Sequence, residues 1–128
     1  MRDYTKIDAW RLADDLAVAV HQSTRSFPKE EQYGLTAQLR RAAYSVPANI
    51  AEGSARENKR DYLRFLYIAR GSLTEVQYFI HLSHRLEYLS DAEFDSLSTE
   101  VKAAFACLHG LIRAVEKETG KLAAVAGT

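Results

Sequence analysis

The chain has 128 residues, 47% hydrophobic and 27% charged, which suits one domain with one core and is too apolar for a disordered chain. Its 17 basic and 17 acidic residues cancel, so the strongly basic overall field of many nucleic-acid binders is absent. No run approaches the roughly 18 apolar residues that cross a membrane, and the opening MRDYTKIDAW has no apolar secretory core, so a cytoplasmic protein is expected.

Ile7, Trp10, Ala13, Ala17 and Val20, joined by Leu12 and Leu16, recur at helical spacing and predict a first helix over about 5–25. Phe27-Pro28 ends it, and Pro28 suits the lead-in to the next. Leu35, Leu39, Ala42, Ala43, Val46 and Ile50 predict the second helix. Pro47 falls inside it, where a missing amide donor predicts a kink or a restart near Ser45. Gly53 is expected to cap its end.

Ser54-Ala-Arg-Glu57 has capping-box spacing and is expected to open the third helix, with Tyr62, Leu66, Ala69, Leu73, Val76, Ile80 and Ser83 on one face. A second such box, Ser90 to Glu93, precedes a fourth stripe of Phe94, Leu97, Val101, Phe105, Leu108, Ile112 and Val115. Residues 119–128 are expected as a frayed tail. With no strand pattern, the fold expected is an all-α, antiparallel up-down four-helix bundle, one domain over residues 1–128.

The third helix is apolar beyond its main stripe: Leu63, Phe65, Tyr67, Ile68, Tyr78, Phe79, Leu82 and Tyr88 exceed what one core needs. That surplus predicts contacts between subunits. Charge is also uneven. Residues 31–70 hold 7 basic and 4 acidic groups, a balance of +3, whereas residues 71–100 hold 1 and 6, a balance of −5. Such polarity suits steering of an anionic ligand or pairing of subunits.

Catalytic signals are absent. No Glu-x-x-His pair exists for a bundle metal site, and His81, His84 and Glu87 at successive i,i+3 positions read as a solvated face. No glycine-flanked serine elbow or phosphate-cradling glycine loop occurs, and the single cysteine, Cys107, reads as a buried core thiol. The expectation is a non-enzyme without metal or cofactor.

The basic run is the best ligand candidate. Arg56, Lys59, Arg60 and Arg64 fall around the start of the third helix, and Arg40 and Arg41 on the second are placed to approach the same end. Such a set can hold phosphates with Tyr62 or Tyr67 stacking on bases, or can be neutralised by Glu57 and Asp61 and merely solvated. Arg70, amid apolar residues, is expected to pair with Glu52 or Glu75.

From Phe27 to Glu75 the chain resembles the four-helix-bundle proteins encoded in intervening sequences of bacterial large-subunit ribosomal RNA, often mislabelled as ribosomal proteins. Gly34-Leu35, Gln38, Arg40-Arg41-Ala42, Ser45 with Pro47, Asn49 to Gly53, Phe65-Leu66 and Ala69 to Ser72 with Glu75 carry the resemblance. It implies a ring-like homopentamer. It also implies kinship with the accessory protein of diversity-generating retroelements, a strongly basic nucleic-acid binder that partners a reverse transcriptase; this chain's net charge is zero. Gln38, Asn49, Glu52, Arg70, Ser72 and Glu75 then read as a polar network beside the proline or at a subunit seam. The leading expectation is a homo-oligomer that binds RNA or DNA weakly through Arg40, Arg41, Arg56, Lys59, Arg60 and Arg64; the alternative is a scaffold for a protein partner.

Overall fold

The apolar stripes fold into four helices: α1 (Asp8–Ser23), α2 (Leu35–Ser54), α3 (Lys59–Arg85) and α4 (Asp91–Gly127). The structure, a computed structural model, describes the backbone of residues 2–127 and the side chains of residues 2–120. No strand occurs among them. Short 3₁₀ turns at Tyr4–Lys6, Thr24–Ser26 and Lys29–Glu31 precede and follow α1, and Pro28 leads into the last. Helix α4 continues through Thr119 and Gly120; the side chains of the tail expected to fray lie, from residue 121, outside the described residues.

Each helix packs on two neighbours, α1 and α3 both lying against α2 and α4. Along α2–α3 and α3–α4, contacts run in opposite order. Arg41 and Ser45 of α2 meet Glu75 and Ser72 of α3, while Gly53 meets Phe65 and Tyr62. His84, in the last turn of α3, meets Asp91, whereas Lys59 at its start meets Glu118. Leu16, Leu39, Ile50, Leu66, Leu73 and Leu108, each at most 1% exposed, form the centre between the helices. Burial of such side chains stabilises by roughly 1.5–3 kcal/mol each.

Pro47 is buried within an uninterrupted α2, so the helix does not restart at Ser45. Its missing donor leaves one carbonyl of the preceding turn without its usual partner. Nearby, Asn49 Nδ2 donates to the Ser45 carbonyl (2.8 Å) and to Ser45 Oγ (3.0 Å), and Ser45 Oγ meets Ser72 Oγ across the seam at 2.8 Å. Polar side chains thus fasten α2 to α3 where the proline sits.

Gly53 is not a cap. It lies inside the last turn of α2 and has no positive φ. A Cβ there would stand 2.8 Å from Phe65 Cβ and 3.0 Å from Tyr62 Cδ1, so glycine permits the close approach of α3. The expected box at Ser54 also fails: Ser54 Oγ donates back to Ala51 O, and α3 begins one turn later. There Asn58 accepts from the amides of Arg60 (2.8 Å) and Asp61 (3.1 Å). The cap of α3 is thus Asn58, one turn later than the sequence reading placed it. The second box forms as expected, Ser90 N–H donating to Glu93 and Glu93 N–H to Ser90 Oγ.

Helix α3 ends at a non-glycine residue in the left-handed region, Glu87, with φ of 65°. Tyr88 N–H donates to Ser83 O and Glu87 N–H to His84 O, the paired bonds of a Schellman end. Glycine tolerates that conformation without the steric cost of a Cβ. Replacing Glu87 with Gly is therefore expected to raise stability by about 0.5–1 kcal/mol in denaturant unfolding.

Of the eight surplus apolar residues, Leu63 and Phe65 are buried, and Phe79, Leu82 and Tyr88 pack partly against the core. Tyr67, Ile68 and Tyr78 stay exposed. Cys107 is half-buried rather than fully enclosed.

Candidate functional site

Five of the six basic residues assigned to nucleic acid already hold partners. Arg40 is half-buried: its Nε donates to Thr24 Oγ1 at 2.7 Å and an Nη to the His21 carbonyl at 3.2 Å, tying α2 to the end of α1. Arg41 reaches Glu75 (3.4 Å) and Gln38 (3.1 Å). Arg56 lies 3.1 Å from Glu52 and 3.6 Å from Asp61, Lys59 is 2.6 Å from Glu118, and Arg64 is 2.8 Å from Asp61. Arg60 alone is exposed and has no carboxylate partner among the described residues.

Nor do the six gather at one end. Arg41 sits level with Glu75, 11 residues beyond Arg64 along α3, about 16 Å at helical rise. Arg40 and Arg41 are therefore not neighbours of the Arg56 to Arg64 group. That group flanks the α2–α3 joint, where Arg2 donates to the carbonyls of Ser54 (3.2 Å) and Arg56 (2.8 Å) and lies 4.5 Å over the Tyr62 ring. Burial pushes the Tyr62 phenol above its ordinary value. Arg2 lies outside every periodic pattern, so nothing in the sequence signalled this clasp.

The expected polar network divides. Asn49 and Ser72 share the Ser45 contacts, Gln38 and Glu75 share Arg41, and Glu52 holds Arg56. Arg70 joins none of them: its guanidinium lies 5.0 Å over the Tyr67 ring, and neither Glu52 nor Glu75 reaches it. Tyr67 itself donates to Glu116 of α4 at 2.7 Å, a bond that holds its phenol protonated to higher pH than usual.

The histidine stripe is broken too. His84 contacts Asp91 at 2.7 Å and stacks on Phe94 at 4.2 Å, while Glu87 has left the helix. No group of three or more His, Cys, Asp or Glu placed to hold a metal occurs among the described residues. None of their helices is long and apolar enough to cross a membrane.

A cleft of about 500 Å³ opens between α3 and α4 with Ile80, Phe94 and Val101 as its floor and Gln77, His81, Asp95 and Lys102 around it. A smaller one, about 300 Å³, lies between α1 and α4 and includes Glu93 and Glu100. Burial, then repulsion from Asp15, raises the Glu100 carboxyl above its ordinary 4.5. The folded state then holds that proton more tightly than the unfolded one, so stability falls as pH rises from about 4.5 through the raised value. Glu100→Gln is expected to raise Tm at pH 7, with the gain shrinking as melts are repeated toward pH 4.

The family model for the 23S rRNA-intervening sequence protein matches residues 5–110. No curated protein matches the chain. Among solved structures, a protein of unknown function from the S23 ribosomal protein family of Bacteroides thetaiotaomicron VPI-5482 is similar, with a TM-score of 0.73 at 20% identity, over 81% of this chain and 97% of that one. At that identity the likeness is one of fold. The matched span takes in α1, the Pro47 helix with Gly53, all of α3 and the first half of α4, and the chain belongs to the 23S rRNA-intervening sequence protein family.

Proposed function

We propose that the chain is a non-enzymatic assembly protein, a helical bundle that joins copies of itself head to tail in the five-membered ring that the family resemblance implies. One observation carries this reading: an apolar ridge and an apolar groove lie on different sides of the bundle at one height. Val18 and Tyr44, 52% and 45% exposed, form the ridge on α1 and α2, with Tyr44 Oη held by His21 Nδ1 at 2.8 Å. The groove is the cleft over Ile80, Phe94 and Val101, on the side formed by α3 and α4.

Ala19 and Gln22 of α1 line the smaller cleft with residues between Ala92 and Glu100 of α4, so the ridge stands level with the groove's floor. A head-to-tail contact between faces at equal height can close, whereas an offset one climbs into a filament. The side chains of Gln77, His81, Asp95 and Lys102 have no hydrogen-bond or ion-pair partner among the described residues, which leaves a polar rim free for a second copy.

Light scattering at micromolar concentration is expected to give five times the 14.4 kDa chain mass. Val18→Asp with Tyr44→Asp is expected to give monomers of unchanged helix content. A monomeric wild type would refute the reading.

A second reading, weak and sequence-tolerant RNA binding, draws on Arg60, an exposed cation with no carboxylate beside it. Its signature is affinity that falls steeply as salt rises. Undetectable affinity at low salt would remove it.

A further inference from the structure

Arg70 poses the problem that leads to a different basic surface. It is half-buried, lies on a ring and has no carboxylate, an arrangement that leaves its charge unneutralised. The Tyr67–Glu116 bond fixes which part of α4 it faces. Arg70 stands one turn beyond Tyr67 on α3, and Arg113 stands one turn before Glu116 on α4. Because contacts run in opposite order along these helices, Arg70 and Arg113 stand at the same level of the α3–α4 pair.

Lys117 follows Arg113 by four residues, so the two share a helix face, whereas Arg64 is held by Asp61 over the Phe65 ring on the α2 side. Arg60, Arg113 and Lys117 are exposed without acidic partners among the described residues. Between residues 60–70 and 109–117 the chain holds five Lys and Arg but only two carboxylates, Asp61 and Glu116, a balance of +3. Those carboxylates are engaged by Arg64 and Tyr67. Two glycines, Gly71 and Gly110, are exposed beside this surface, and nothing lies within 4 Å of where a Cβ would stand on either. A chain can therefore come close to the helix backbones between the cations. Tyr67 is 39% exposed and adds an aromatic edge.

We propose that the outer surface where the first half of α3 meets the second half of α4 binds the phosphodiester backbone of single-stranded RNA through Arg60, Arg70, Arg113 and Lys117. Tyr67 serves as a stacking platform for a base. This rests on the RNA-binding reading and names its surface, which excludes Arg40, Arg41, Arg56, Lys59 and Arg64. It also lies at the opposite end of the α3–α4 seam from the groove assigned to assembly.

The test is fluorescence anisotropy of a labelled oligouridylate with the full chain at about 50 mM salt and upward. Arg113→Glu with Lys117→Glu is expected to weaken binding about tenfold or more and to reduce the salt slope by about 1.4, the share of two phosphate contacts on a single strand. Arg25→Glu with Lys29→Glu makes the same charge change on exposed residues of the α1–α2 connection, and is expected to alter affinity less than about twofold. Equal losses in the two double variants would overturn this surface while leaving RNA binding intact. No wild-type affinity at low salt would end the RNA reading itself. Displacement of the oligouridylate by millimolar inorganic phosphate would mark a free-phosphate site and overturn the proposal. So would a change of mass in light scattering for Arg113→Glu with Lys117→Glu, since the surface would then be a subunit seam.

Discussion

Replacing Gly53 with Ala is expected to destabilise the chain, and replacing Gly71 with Ala to stabilise it, although both glycines lie inside helices. On propensity alone, alanine gains about 1 kcal/mol over glycine in a helix interior. At Gly71 nothing stands within 4 Å of the added methyl, so about 0.5–1 kcal/mol of that gain should be realised. At Gly53 the methyl would meet Phe65 Cβ at 2.8 Å, Tyr62 Cδ1 at 3.0 Å and the Tyr62 carbonyl at 3.3 Å.

The nearest of these is the root of a buried side chain and the last is backbone, so α3 must move away from α2. Overpacking of this kind costs about 1–3 kcal/mol and should outweigh the propensity gain. Urea unfolding of both variants checks the pair. Equal and positive shifts would show that α2 and α3 are not in contact at Gly53.

Arg40→Glu is expected to cost about 2–3 kcal/mol of folding stability, against less than about 0.5 kcal/mol for Arg60→Glu. Arg40 donates to a buried threonine hydroxyl and to a carbonyl, and Thr24 is only 3% exposed. A carboxylate in its place brings an acceptor to acceptors and leaves a half-buried charge unpaired. Arg60 has no such partners and faces solvent, where a substitution is seldom felt. Denaturant midpoints measure both. A stability loss at Arg60 equal to that at Arg40 would contradict this division between a structural and a free arginine.

The same division explains how far the sequence could be read. Periodicity located all four helices because the 3.6-residue repeat is a local property of each segment. It also located the Ser90 to Glu93 box, whose partners are three residues apart. At Ser54 the same kind of local pattern misled: the box there does not form, and Asn58 caps α3 instead. Ser54 stays in the last turn of α2, which runs on past Gly53 as it packs against Tyr62 and Phe65 of α3. Gly53 itself read as a helix stop, whereas its use is to omit a side chain.

For the candidate site the limit was sharper. Sequence neighbourhood grouped Arg56, Lys59, Arg60 and Arg64 and suggested Arg40 and Arg41 as companions, because charge can be counted along a chain. Pairing cannot. Glu118, Glu75 and Thr24, which occupy Lys59, Arg41 and Arg40, come from segments 59, 34 and 16 residues away. By the same token Arg113 and Lys117, absent from any run, are level with the α3 cations only because Glu116, between them, is bonded to Tyr67.

By itself, then, the sequence determined the helical class, the four segments, the family and the lack of any catalytic signature, since these rest on composition, local repeat and motif. Only the tertiary structure decided which cations are engaged and which remain free. An ion pair depends on two side chains meeting within about 4 Å, and that distance is set by how the helices cross.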